Sequence, residues 1–362
     1  MWIYSTQFVV WPGVPTQLWH AHEMLYGFAA AAIGGFLLTA VPSWTGGRGF
    51  AGLPLVVVTG LWLAARLLLA FAPDALAWLA VLVELSYLPG IAWLIAPPLL
   101  REHNRNTVML GVLLALWLAD LTFLVAVRRA DVTGASTALG TALDIVLLLV
   151  TVIGGRIVPA FTGNALRRHG ADAATLRSRP WIEKSLPAVM IVNLLLTATA
   201  APVRMAGAVA LAAAVLHALR LSGWRGLRMR GEPIVWVLHL GYAWLPLGFA
   251  LKALAQLADV SFAQFWQHAF GAGAVATMIL AVTTRAALGH TGRSLVVAPA
   301  IAVSYGLLTL AALARVLLPQ LPGVAHPLAL WIAALAWTAA MAIYLIVYVP
   351  ILTRPRIDAK PG

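Results

Sequence analysis

The chain has 362 residues, of which 62% are hydrophobic and only 10% charged, and it contains no cysteine. Soluble domains are about 45–50% apolar and about 25% charged, so this composition excludes an ordinary water-soluble protein. The abundance of apolar residues also excludes intrinsic disorder. Without cysteine there are no disulfides, thiolate metal sites or iron–sulfur clusters. We therefore predict an all-α, polytopic bundle of membrane-spanning helices.

Eleven segments have the roughly 20 mostly apolar residues that a membrane-spanning helix needs. They are residues 20–42, 54–72, 76–96, 108–127, 137–158, 185–200, 203–221, 234–257, 263–286, 295–318 and 328–351. We predict a single integral membrane domain over residues 1–362, with a basic cytoplasmic loop at residues 164–184. No signal peptide is predicted, because residues 1–17 contain no basic residue.

The net charge of +12 is interpreted as a marker of membrane orientation, because cytoplasmic loops collect lysine and arginine. With the N-terminus outside, 18 of the 24 basic residues fall on the cytoplasmic side. Only Arg128, Arg129 and Arg204 fall on the other side, and three more lie within spans. The pattern predicts an outside N-terminus, a cytoplasmic C-terminus and separate spans before and after Pro202. It does not indicate nucleic-acid binding.

Ionisable side chains inside spans are costly, so each calls for a partner or a function. Counted along the chain, they are His20, His22, Glu23, Arg66, Glu84, Asp120, Asp144, His217, His239, Lys252, His268 and Arg315. The histidines form two groups by predicted depth. The outer group is His20, His22 and His268, and the inner group is His217, His239 and, just beyond a span, His290.

Two depth-matched histidine groups are compatible with metal binding, because a neutral imidazole ligates haem iron or copper within a membrane. A single intramembrane histidine more often forms a hydrogen bond between helices, and both interpretations stay open here. His20 and His22 lie about 200° apart around a regular helix, so they cannot both bind one metal from such a helix.

Several neighbours of the histidines have two interpretations. Glu23 either accepts a hydrogen bond from His22 as an outer-shell group or is a solvated carboxylate at a helix start. Tyr242 shares the helical face of His239, where it either contacts a cofactor or packs as an ordinary aromatic residue. Gly271 and Gly273 either leave space for a flat macrocycle or serve helix packing.

The charged residues in and beside the spans also have two interpretations. Basic residues near the inner face either bind haem propionates or anchor the cytoplasmic side, and they are Arg156, Arg220 and Arg285. The intramembrane carboxylates of Glu84, Asp120 and Asp144 either form a proton route or pair structurally, and we favour an Arg66–Glu84 pair.

Short sequence blocks occur along the chain: WHAHEM at 19–24, GF at 27–28, GFLLTAVP at 35–42, RIVPAFT at 156–162, HALR at 217–220 with Trp224, HLGY at 239–242, HAFG at 268–271, TRA at 284–286 and LGHTGR at 288–293. In these blocks the chain resembles the NnrS family of haem- and copper-containing membrane proteins linked to nitric oxide. The blocks cover nearly the whole chain in order.

The resemblance implies a bundle of about twelve helices that binds haem, of the b type, and copper. It also implies a role in tolerance of nitrosative stress in a bacterial cytoplasmic membrane. Relatives usually carry one more hydrophobic helix before residues 20–24, so we expect that this first helix is missing. The expected partners are the lipid bilayer and a small molecule such as nitric oxide.

The leading hypothesis is that this protein binds haem and copper and protects against nitric oxide. The predicted haem-site residues are His217, His239, Arg220, Arg285 and Tyr242, and the predicted metal ligands are His20, His22, His268 and His290. The alternative is a proton-coupled transporter or permease that uses Glu84, Asp120, Asp144 and the histidines. The sequence identifies no catalytic residue.

Overall fold

The structure is a computed structural model that describes residues 14–321, 323 and 325–357. In this part of the chain the regular secondary structure is helical, without a strand, and eleven helices are long and apolar enough to cross a membrane. The predicted all-α, polytopic architecture is confirmed, and the chain is a multi-pass membrane protein.

Each predicted span overlaps one of these helices. The helices are α1 (Thr16–Thr45), α2 (Leu53–Phe71), α3 (Asp74–Arg101), α4 (Arg105–Arg128), α5 (Val132–Arg168), α6 (Pro180–Ala198), α7 (Val203–Ser222), α8 (Pro233–Ala258), α9 (Ser261–His290), α10 (Pro299–Gln320) and α11 (His326–Leu352). Because α6 ends at Ala198 and α7 begins at Val203, the two spans predicted around Pro202 are indeed separate.

The predicted loop at residues 164–184 is helical at both of its ends. Helix α5 continues to Arg168 and α6 already begins at Pro180, so the connecting segment is residues 169–179. Gly170, with a φ of +69°, adopts the left-handed conformation that often follows a helix end. Pro180 suits the first turn of α6, where its missing N–H costs no hydrogen bond. Polar composition alone did not reveal these boundaries.

The described residues form two compact units, divided between Ile145 and Val146 within α5. In the first unit, α3 packs against α1 and α2, and Ile91 and Ile95 are fully buried. In the second unit, α7 packs against α8, α8 against α9 and α10 against α11. Its core includes Phe249, Phe270 and Tyr305, none of which has any exposed surface.

Two of the helices contain a π-helical segment that begins directly after a histidine. In α1 this segment is Glu23–Ala29, following His22, and in α9 it is Ala269–Val275, following His268. π-Helical turns are rare and are frequently found at functional sites, because they redirect side chains out of the regular helical pattern. Both histidines are among the predicted metal ligands.

The two glycines that follow His268 differ in their surroundings. A Cβ atom at Gly273 would lie 2.4 Å from Cδ2 of Trp244, whereas a Cβ at Gly271 would meet nothing within 4 Å. Gly273 therefore allows α9 to approach the Trp244 indole of α8, which agrees with the helix-packing interpretation at this position. Gly271 is not needed for such an approach.

We expect Gly273→Ala to lower the free energy of unfolding by about 1–3 kcal/mol, because the added methyl group overpacks the contact with Trp244. The matched control, Gly271→Ala, is expected to leave it unchanged or raise it by up to about 1 kcal/mol. Denaturant unfolding in detergent, followed by circular dichroism, measures both. Equal effects of the two substitutions would contradict this account of the packing.

Candidate functional site

The first unit gathers five ionisable side chains from four helices, which we call the His22 cluster. They are His22 and Glu23 of α1, Arg66 of α2, Glu84 of α3 and Asp120 of α4. His22 has no exposed surface, and Glu84 and Asp120 are only 5% and 2% exposed. Such burial is costly for charged groups unless they are paired or bind a cation.

Local departures from regular helix bring two of these residues into the cluster. His22 directly precedes the π-helical segment of α1, and its ring stacks on Phe123, with the ring centroids 4.8 Å apart. Glu84 lies where α3 is interrupted at residues 85–86. The carbonyl of Leu85 accepts a hydrogen bond of 2.9 Å from Nε1 of Trp117, which stabilises this interruption.

Both nitrogens of His22 face carboxylate oxygens. Nδ1 lies 3.2 Å from Oε1 of Glu23, and Nε2 lies 3.1 Å from Oδ1 of Asp120 and 3.8 Å from Oε1 of Glu84. The donor atoms of His22, Glu84 and Asp120 all lie within 4.8 Å of one another. One imidazole and two carboxylates therefore converge on one point.

Arg66 connects two carboxylates of the cluster. Its Nη1 donates a hydrogen bond of 2.8 Å to Oε1 of Glu23, and its Nη2 forms an ion pair with Oε2 of Glu84. The expected Arg66–Glu84 pair is thus present, and of the two interpretations of Glu23 the structure shows the contact with His22. The neighbouring His20 is exposed while His22 is buried, as their separation around the helix requires.

The second unit holds another buried group around His217 of α7, which we call the His217 cluster. Nδ1 of His217 lies 2.9 Å from the hydroxyl of Tyr242, and its ring stacks on Phe249 at a centroid distance of 5.6 Å. Its Nε2 is buried and has no hydrogen-bond partner among the described residues. An unsatisfied buried nitrogen costs about 1–3 kcal/mol, which a bound group would offset.

His239 of α8 has a similar arrangement. Its Nε2 lies 2.8 Å from Oγ1 of Thr162, and because that hydroxyl donates to the carbonyl of Val158, Nε2 must carry the proton that joins the pair. In the neutral ring Nδ1 then carries a lone pair, and it has no partner among the described residues. A Cβ atom at Gly226 would lie 2.6 Å from Nδ1, so any larger residue there would cover this nitrogen.

An aromatic pair lies between these two histidines. Trp224 packs edge-on against Tyr242 at 4.5 Å and against His239 at 6.4 Å, measured between ring centroids. Tyr242 in turn contacts His217. The structure therefore brings His217, Tyr242 and His239, three of the predicted haem-site residues, into one chain of contacts.

The two arginines predicted at the haem site differ in their contacts. Arg220 forms an ion pair with Glu183 and donates to the carbonyl of Thr151 and to the hydroxyl of Tyr242, at 2.7 and 3.1 Å. Arg285 lies over the ring of Phe161 at 3.7 Å, and its buried Nη1 has no partner among the described residues. The guanidinium of Arg285 is thus better placed than that of Arg220 to bind an additional anion.

The other predicted metal ligands lie apart along α9. Near the start of α9, Nε2 of His268 accepts a hydrogen bond of 2.7 Å from Nη2 of Arg315. His290 is the last residue of α9 and is exposed. At about 1.5 Å per residue they are about 30 Å apart along the axis, so they cannot share one metal ion.

Some residues of both clusters were not placed by sequence reasoning. Glu183 lies in the predicted loop, although it is helical and pairs with Arg220. Thr162, the partner of His239, belongs to a motif that we quoted only for its family resemblance. Glu84 and Asp120 were identified as intramembrane carboxylates but were not joined to His22 in one site. The signal that could have joined them is that both carboxylates lie at a predicted depth similar to that of His22.

The chain was also compared with known proteins. It has no match among the curated proteins or among the solved structures. A family model described as NnrS protein matches residues 1–356, nearly the whole chain. This protein therefore belongs to the NnrS family.

Proposed function

We propose that this protein binds haem and copper in a bacterial cytoplasmic membrane and protects the cell against nitric oxide. One observation carries the proposal. Two buried imidazole nitrogens in the second unit, Nε2 of His217 and Nδ1 of His239, have no partner among the described residues. Each ring is oriented through its other nitrogen by a hydroxyl, from Tyr242 and Thr162 respectively. Ligating histidines typically have such an outer-shell partner.

In this proposal His217 and His239 would hold the haem iron, and Arg285 would bind a propionate. Tyr242 orients His217, and Arg220 holds the Tyr242 hydroxyl in place. With both imidazoles on the haem iron no coordination position is open, so a small diatomic molecule such as nitric oxide would bind the iron in place of one of them. Copper would bind imidazoles of the remaining candidates, His20, His22, His268 and His290. Of these, His268 and His290 must serve different sites because of their separation along α9.

The test is an absorption spectrum and a metal analysis of the detergent-purified protein, expressed with haem available. We expect a Soret band and bound copper, together with a shift of the Soret band when nitric oxide is added. A deletion strain complemented with the gene should survive a nitric oxide donor better than one carrying the empty vector. Monodisperse protein that lacks both haem and copper would overturn the proposal.

One observation favours the alternative of a proton-coupled permease. Three carboxylates and His22 gather within the membrane-spanning helices of the first unit, as a proton-carrying site requires. Proton movement across the membrane of liposomes that contain the purified protein distinguishes the permease from the proposed function. Proton flux that disappears with Asp120→Asn, in protein free of haem, would favour the permease.

A further inference from the structure

The His22 cluster has a charge imbalance that a cation would correct. Its three carboxylates and the single guanidinium of Arg66 sum to −2 when His22 is neutral. An uncompensated charge inside a membrane protein is costly, so a balanced cluster needs two further positive charges. One divalent cation supplies both.

The hydrogen bonds of His22 point to the place of that cation. Both nitrogens of His22 lie 3.1–3.2 Å from carboxylate oxygens, and a neutral imidazole, which has one N–H, donates to only one of them unless a second proton or a cation joins the other. If Nδ1 donates to Glu23, Nε2 directs a lone pair at Asp120 and Glu84. Anionic oxygens and a lone pair that face one another in this way are a set of donor atoms for a positive ion.

The spacing of these donor atoms suits a metal ion. Nε2 of His22 lies 3.1 Å from Oδ1 of Asp120 and 3.8 Å from Oε1 of Glu84. Ligands at about 2.1 Å from a metal are about 3.0–3.4 Å apart in octahedral or tetrahedral coordination. The separation from Asp120 lies in this range, and the oxygen of Glu84 would move closer by a few tenths of an ångström on binding. The π-helical segment that begins directly after His22 is an independent indication of a functional position in α1.

We infer that His22, Glu84 and Asp120 form a binding site for a divalent cation of the Zn²⁺, Mn²⁺ or Fe²⁺ class. One imidazole and two carboxylates suit these ions, whereas Cu⁺ prefers thiolate and thioether ligands. Glu23 orients the imidazole of His22 through its Nδ1, and Arg66 holds Glu23 and Glu84 in position. The site lies in the first unit and uses none of the proposed haem ligands. With His22 bound to this ion, copper would be left to the other candidates, His20, His268 and His290.

The experiment uses the full-length protein in detergent, stripped with a chelator. The protein is equilibrated with ZnCl₂ or MnCl₂, desalted, and analysed for metal by mass spectrometry. We expect about one equivalent of either ion per chain, as for a single site with a complete set of ligands. Addition of Cu⁺ should not displace it. The same samples are checked for monodispersity and for melting temperature.

Three variants make the test specific. Asp120→Asn, which keeps the shape of the side chain, should weaken binding by more than about tenfold. Glu23→Gln removes no ligand and should weaken binding by about 10–100-fold through the orientation of His22. The matched control Asp144→Asn changes another carboxylate of the first unit, which is buried but outside this set of three, and should bind normally.

The outcomes separate this site from the proposed function. A Soret band unchanged in Asp120→Asn, with the divalent ion lost, supports the site independently of the haem. Folded wild-type protein that retains neither Zn²⁺ nor Mn²⁺ overturns the inference and leaves two protons as the balancing charges. Equal retention by wild type and Asp120→Asn, or displacement of the ion by Cu⁺, overturns it as well.

Discussion

Replacing Arg66 with methionine is expected to lower the free energy of unfolding by about 3–5 kcal/mol, the usual cost of breaking a buried ion pair from one side. The guanidinium contacts both Glu23 and Glu84, and its side chain is only 12% exposed. Without it, two carboxylates in the His22 cluster lose their countercharge. Denaturant unfolding in detergent, followed by tryptophan fluorescence, measures the loss.

A double variant shows that the effect comes from charge rather than from lost packing. Arg66→Met combined with Glu84→Gln removes both members of the pair and should recover much of the stability, because no buried charge is left at Glu84. The control Arg129→Met changes an exposed arginine directly after α4 and should cost less than about 0.5 kcal/mol. An Arg66→Met protein as stable as the wild type would show that the pair contributes nothing.

Under the proposed function, replacing His217 with glycine is expected to reduce the bound haem by more than about tenfold, because one of the residues that would hold the iron is lost. The ring is fully buried and its Nε2 has no partner among the described residues, so the substitution should leave no unpaired protein donor except at Tyr242. The Soret absorbance per mole of purified protein measures the loss. Added imidazole, which fits the space left by the side chain, should restore part of the band.

Two further variants separate ligation from folding. His169→Ala removes a histidine of the second unit whose side chain is 61% exposed, and it should leave the Soret band unchanged. Tyr242→Phe removes the hydroxyl that contacts His217, so haem should stay bound with a shifted reduction potential. A normal Soret band in His217→Gly without added imidazole would show that His217 is not a haem ligand.

The sequence predicted the membrane-spanning helices well because their signal is local. A run of about 20 apolar residues matches the thickness of the bilayer wherever it lies in the fold. The ends were less predictable, as at α5, which continues as far as Arg168 through residues that are polar. Polar residues at a helix end extend out of the apolar region without breaking the helix, so hydropathy does not mark where it stops.

The candidate site was predicted less completely. The Arg66–Glu84 pair was expected because it joins consecutive spans. The contact between His22 and Glu23, which are neighbours in the sequence, was one of two interpretations of Glu23. The contact of His22 with Asp120 joins α1 to α4. It depends on the rotation of both helices, and the π-helical segment of α1 changes the usual relation between residue number and helical face.

The sequence by itself determined that this is a multi-pass, all-helical membrane protein of the NnrS family whose spans contain unusually placed histidines and carboxylates. These properties depend on residue type and on order along the chain. Only the tertiary structure decided which of those side chains meet: Glu84 and Asp120 with His22, and Tyr242 with His217 and Arg220. The physical reason is that hydropathy indicates how deep in the membrane a residue lies, whereas contact between two helices depends on the direction in which each side chain points around its helix axis.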